Sequence, residues 1–149
     1  MTPEQIARHE AAHAAMAVML GVPVRYVGRD QAGGFVEYEP HSHTRKGATL
    51  RMMIILGGLI ETAETGADLP AWPIDPDAGP DAERSDRRLL ALLAGRLRLS
   101  EGDYRRIVLA ALKVSLSAGY EQLVTGISGV LDYTPRIGPD VIAALERRI

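Results

Sequence analysis

Ile6-Ala7-Arg8-His9-Glu10-Ala11-Ala12-His13-Ala14-Ala15, close to the N-terminus, sets two histidines and a glutamate into an otherwise largely apolar run. On a helix, residues four apart stack on one face, so His9 and His13 can offer two imidazoles to one metal ion. Glu10 is rotated to the side, where it can reach a water in the metal's open position. The pattern His-Glu-x-x-His at this spacing points to a zinc site with two histidine ligands and a carboxylate as general base. The local signals for a helix are complete. Thr2-Pro3-Glu4-Gln5 supplies a cap, a first-turn proline and the Gln of a capping box. Gly21 and Pro23 end it, so the helix is expected over about residues 3–20. From Ala11 to Leu20 it is apolar nearly all round, as a buried central element would be. Polar groups entering such a core need partners. A metal ion is the preferred one here; hydrogen bonding among the three side chains alone is the metal-free alternative.

A chain of 149 residues is most simply one domain with a real core. Hydrophobic residues make up 46% and the net charge is −2, which gives no reason to expect nucleic acid or an anionic membrane as partner. There is no cysteine, so neither disulfides nor thiolate ligands are available, and any zinc must be held by His and carboxylate. The chain opens on a capped helix instead of a basic segment followed by an apolar one, so no signal peptide is expected. The longest apolar run, Met52 to Ile60, is too short to span a bilayer. A cytoplasmic protein is the expectation.

Beyond the first helix, Val24-Arg25-Tyr26-Val27 and Phe35-Val36-Glu37-Tyr38 read as strands of a hairpin over about residues 24–39, with turn chemistry at Gln31-Ala32-Gly33-Gly34. His41 and His43 follow in a polar loop, where exposed histidines are usually without a role. A second helix is expected from about Ala48 to Thr65. Its Gly57-Gly58 pair costs about 1 kcal/mol per glycine in helix propensity and so suggests close approach of a neighbouring element. Residues 67–81 carry four prolines and several acids, which excludes a helix. Trp72 in this stretch suggests partial packing. Further helices are expected at about Ala82–Leu99, Tyr104–Ser117, Tyr120–Leu131 and Asp140–Arg148, the last three making up a C-terminal helical region over about 101–148. The arginines between Arg84 and Arg106 read as a solvated face. The predicted architecture is mainly α: a single-domain helical bundle with a small β-hairpin after the histidine helix.

A catalytic zinc site usually takes three protein ligands. Glu61, Glu64, Asp75, Asp77, Asp81 and Asp86 are all available downstream, and spacing alone does not choose among them. Asp86 has in its favour a place in the first turns of a helix, an element able to hold geometry.

With these residues in view, the chain resembles the FtsH-type zinc metallopeptidases, the proteolytic domain of the membrane-bound ATP-dependent proteases. Ile6 to Ala14 resembles that family's zinc helix. Gly33-Gly34-Phe35-Val36-Glu37-Tyr38 is similar to its glycine-led strand, and Met53-Ile54-Ile55-Leu56-Gly57-Gly58-Leu59-Ile60-Glu61 to its apolar Gly-Gly helix. Arg84-Ser85-Asp86-Arg87-Arg88-Leu89 falls where the family has a Ser/Asn-Asp pair opening a helix, and residues 120–131 and 139–148 fall where it has its closing helical pair. The resemblance covers nearly the whole chain. It implies His9, His13 and Asp86 as zinc ligands, Glu10 as general base, and a peptide substrate held in extended form by the strand from Phe35. It also implies homo-oligomeric rings, although no diagnostic interface is visible.

The chain departs from the family at Ala12, at Leu59 after Gly-Gly, and at Glu61-Thr62 in place of paired acids. A Pro-rich loop replaces the family's Thr-Gly-rich approach to the third ligand. Neither an ATPase domain nor a membrane segment is expected from these residues, so ATP-driven proteolysis would require a separate ATPase partner. The expectation is a small zinc metallopeptidase that is ATP-independent by itself and acts on peptides or unfolded protein. The alternatives are a catalytically silent relative acting as a binding or regulatory module, and, more distantly, a metal-free helical protein.

Overall fold

The computed structural model describes residues 1–30, 33–39 and 44–149. His41 and His43, and the turn residues Gln31 and Ala32, therefore lie outside the described residues.

The expected first helix, α1 (Pro3–Met19), forms with its capping box intact: Thr2 Oγ1 accepts from Gln5 N–H, and the Gln5 side chain accepts from Thr2 N–H. Ala7, Ala11, Ala12, Ala14, Ala15 and Ala17 are all buried, as is Met16 between them. Small side chains on every face let neighbours close in from several directions at once. Accordingly α1 packs against α2 (Arg45–Thr62), α5 (Ala118–Leu131) and the sheet. Met16, Met52, Leu56, Leu59, Leu123, Ile127 and Leu131 are fully buried around it. Each such side chain contributes about 1.5–3 kcal/mol through burial.

The sheet is larger than the expected hairpin. β1 (Val24–Arg29) and β2 (Gly34–Tyr38) pair antiparallel, and a third strand, β3 (Arg136–Ile137), adds to the other side of β1, giving the order β2-β1-β3. Residues 136–137 read as part of a turn in sequence, because two residues between Pro135 and Gly138 carry no alternation. Their strand character comes from the pairing of Val27 with Ile137, which is buried. The outer edge of β2 is left unpaired among the described residues.

Side-chain caps set where α2 and α4 begin. Thr44 Oγ1 accepts from Gly47 N–H and starts α2 three residues earlier than the apolar pattern suggests; it ends at Thr62 instead of Thr65. A short 3-10 turn (Asp81–Glu83) precedes α3 (Arg84–Leu97). Ser100 and Asp103 form a capping box, so α4 (Glu101–Ser115) begins at the cap segment itself. The last helix, α6 (Pro139–Glu146), follows β3.

The Pro-rich segment is packed. Leu69 and Pro70 are buried, the Tyr104 hydroxyl donates to Pro70 O at 2.7 Å, and the Trp72 ring lies 5.5 Å from that of Tyr104. A buried pair, Arg87 with Glu83 at 3.3 Å, ties it further, since Arg87 also donates to Asp68 O. Arg87 is thus the exception to the solvated arginine face. Arg84, Arg88, Arg105 and Arg106 do pair on the surface, with Asp81, Asp77, Glu101 and Asp103.

Candidate metal centre

Three ligand-type atoms converge between α1 and the first turn of α3. His9 Nε2 lies 2.8 Å from Asp86 Oδ2, His13 Nε2 lies 3.1 Å from the same oxygen, and the two Nε2 atoms are 3.0 Å apart. A tetrahedral zinc with bonds of about 2.0–2.1 Å would hold its ligand atoms about 3.3–3.4 Å apart, so the triangle is a few tenths of an ångström tighter than a loaded site. His9 and His13 are buried and Asp86 is partly exposed. This His-His-Asp group can hold a metal ion.

The donor set itself fits a cation. His13 Nδ1 is 2.7 Å from Ile54 O; a carbonyl only accepts, so Nδ1 carries the hydrogen and Nε2 turns its lone pair into the triangle. Two imidazole nitrogens and a carboxylate oxygen facing one another at 3 Å repel unless a positive charge sits among them. Asp86 also sits at the N-terminal end of α3, where the helix dipole favours a carboxylate. His9 Nδ1 is buried without a partner among the described residues.

In the metal-free chain a proton takes the cation's place. Burial alone would depress the His13 imidazole, but the charge and hydrogen bond of Asp86, with Glu10 nearby, raise it to about 9. Burial would raise Asp86, yet the His13 charge and the hydrogen bonds from both histidines hold it well below the usual carboxylate range. The His13 contribution to stability is therefore complete below its unfolded value of about 6.5 and is lost as pH rises through about 9. The Asp86 contribution is present above about pH 3.9 and is lost as pH falls through its lower folded value. The chelated protein should accordingly melt at progressively lower temperature from about pH 6.5 to about pH 9, while its zinc affinity rises as the proton leaves. Thermal melts and zinc titrations across that range measure both; a flat melting profile would refute the assignment.

Glycines shape the site. A Cβ on Gly58 would overlap the His13 ring, and one on Gly57 would come within 3.0 Å of Met16 Cβ and 3.1 Å of Ala12 O. The Gly-Gly pair is thus where α2 closes on α1, with Gly58 set against a ligand. Gly34, opening β2, plays the same part for Glu10, whose side chain occupies the space a Cβ would take.

Glu10 is buried and lines, with His13 and Asp86, a cleft of about 270 Å³ bounded by β2 and α2. Burial pushes its carboxyl upward, and the charges of His13 and His9 draw it part of the way back. Tyr38 and Arg51 line the same cleft. Neither was singled out in the sequence, although an arginine inside the apolar run from Leu50 to Ile60 was a signal that something would pair with it.

The other candidate acids are engaged elsewhere. Glu61 pairs with Arg8 at 2.5 Å and faces a separate groove of about 390 Å³ that Glu64 also lines. Asp75 accepts from Asp77 N–H, Asp77 pairs with Arg88, and Asp81 with Arg84. The Pro-rich segment contributes no lining residue to the cleft among the described residues. Among the described residues, no single helix is long and apolar enough to cross a membrane. Comparison with protein-family models finds no match to this chain, and comparison with curated proteins finds none either.

Proposed function

We propose that this protein is a zinc-dependent metallopeptidase with an FtsH-peptidase-like arrangement. The observation that carries the proposal is the convergence of His9, His13 and Asp86, residues up to 77 positions apart, on one point beside a cleft that Glu10 also lines. His9 and His13, through Nε2, and Asp86, through Oδ2, would hold the ion. When bound, zinc supplies Lewis acidity that polarises the scissile carbonyl and acidifies water toward neutral pH.

The chain's own residues supply the rest. Glu10, as carboxylate, takes a proton from the attacking water and hands it to the leaving amine, so that water and a peptide bond become a carboxylic acid and an amine. Its burial beside Gly34 limits its motion and keeps the base where the proton must move. The unpaired edge of β2 offers backbone groups to which an extended peptide can add as a further strand. Such a mode suits peptides and unfolded segments, and a folded substrate would need a separate ATPase partner to open it.

Elemental analysis of the purified protein, coupled to hydrolysis of quenched peptides, tests the reading. About one zinc per chain, with hydrolysis abolished by chelator and restored by zinc, is expected. Metal without hydrolysis of any peptide would favour the silent binding module instead. Failure to take up metal when zinc is supplied would leave His9 and His13 as core residues.

A further inference from the structure

Among the described residues that line the cleft, Arg51 is the only arginine or lysine, and Glu10, Glu37 and Asp86 are also found there. It has no carboxylate partner among the described residues. Asp86 is taken up by the two histidines, and Glu37 by Arg25 at 3.5 Å. Arg51 donates to the Tyr38 hydroxyl, and its Nε is buried with no partner among the described residues. A buried N–H left unpaired is costly, and more so on a charged group. An arginine on an otherwise apolar helix face that lines a cleft and has a donor left unsatisfied has the fork geometry and the charge to recognise a carboxylate there.

The neighbouring strand completes the arrangement. Side chains alternate along β2, so Gly34, Val36 and Tyr38 share the face turned to α1, while Phe35 packs on Gly28 and Tyr26 on the other face. Tyr38 thus shares its face of the strand with Gly34, which backs Glu10. Burial raises the Tyr38 phenol, so it stays a neutral hydrogen-bond donor at working pH. A planar guanidinium and a phenol side by side match the two oxygens of a carboxylate.

We propose that Arg51 and Tyr38 form a carboxylate-recognition subsite beside the metal centre, which selects peptides carrying a carboxylate next to the bond to be cut. The carboxylate can belong to an Asp or Glu side chain or to the C-terminus of the peptide. That the ligand is a peptide rests on the metallopeptidase reading above; that it bears a carboxylate rests on the pairing state of Arg51 alone.

The experiment measures binding and cleavage separately. Zinc-loaded Glu10→Gln protein, in which cleavage is expected to be suppressed, is titrated calorimetrically with acetylated tripeptides. One pair differs only as Glu against Gln, the other only as free C-terminal acid against C-terminal amide. The carboxylate member of one pair should bind roughly 10- to 100-fold tighter. Which pair shows the preference identifies the source of the carboxylate. In the Arg51→Met background the ratio should fall to near one, in Arg51→Lys it should recover in part, and in Tyr38→Phe it should shrink several-fold. The Tyr38 variant keeps the charge and ring in place, so it reports even where Arg51→Met disturbs folding. Equal binding within both pairs, or a preference that survives both Arg51→Met and Tyr38→Phe, overturns the proposal. If the wild-type protein cleaves none of these peptides while the Arg51-dependent preference holds, the peptidase reading fails and the subsite stands.

Discussion

Replacing Glu10 by Gln should leave zinc content unchanged while lowering peptide hydrolysis by about 10²–10⁴-fold, the usual contribution of a general base. The separation is expected because Glu10 is not one of the three converging atoms: the triangle is closed by His9, His13 and Asp86. Gln has the same shape and fits the space left by Gly34, so the geometry of the cleft is kept. What is lost is the ability to accept and return a proton. The variant should also be at least as stable as the wild type. Glu10 is buried, and burial is the leading cause of its raised pKa, so a neutral amide relieves the cost of desolvating a charge. An inactive protein that melts no lower than the wild type and still carries zinc would assign the residue to chemistry. Full hydrolysis by Glu10→Gln would remove it from the mechanism.

The second large effect is expected from a methyl group. Gly58→Ala places a Cβ inside the His13 ring. That ring has nowhere to go, since Nδ1 is held by Ile54 O at 2.7 Å and the side chain is buried. Zinc affinity should therefore fall by at least about tenfold, toward that of His13→Ala, because a ligand displaced by even an ångström no longer reaches the metal. Stability should fall by about 1–3 kcal/mol from overpacking, softened by the better helix propensity of alanine. Two further substitutions separate these contributions. Gly57→Ala crowds Met16 and the Ala12 carbonyl, so it should cost stability with a smaller effect on zinc. Gly95→Ala, on α3 with nothing near its would-be Cβ, should be neutral or stabilising by about 1 kcal/mol. Zinc titration and thermal melts on the three variants measure both quantities. Undiminished zinc binding by Gly58→Ala would mean that His13 is not a ligand.

Local chemistry was enough to determine much of this protein. The capping box at Thr2 and Gln5, the many alanines of α1 and the His9-Glu10-x-x-His13 spacing are all encoded within one helix, so they could be read directly. The apolar periodicity of the later segments likewise announced a mainly helical chain, because burial of one helical face leaves its mark every three or four residues. Helix ends were less legible: a cap such as Thr44 or Ser100 overrides the apolar pattern by up to a turn.

Pairing across the chain is what only the tertiary structure decided. Six acids competed in sequence for the third ligand position, and Asp86 meets the histidines because the first turn of α3 is brought beside α1, while Glu61 is drawn to Arg8. Strand β3 exists only because β1 offers it a buried partner in Val27. The division of labour within Gly57-Gly58 depends on which face of α2 meets α1, and Arg51 gains its meaning from Tyr38 on a strand with no sequence signal linking the two. Local hydrogen bonds and hydrophobic periodicity act over a few residues and are written in order along the chain. Convergence of side chains on one point is set by packing of the whole core, and no short stretch records it.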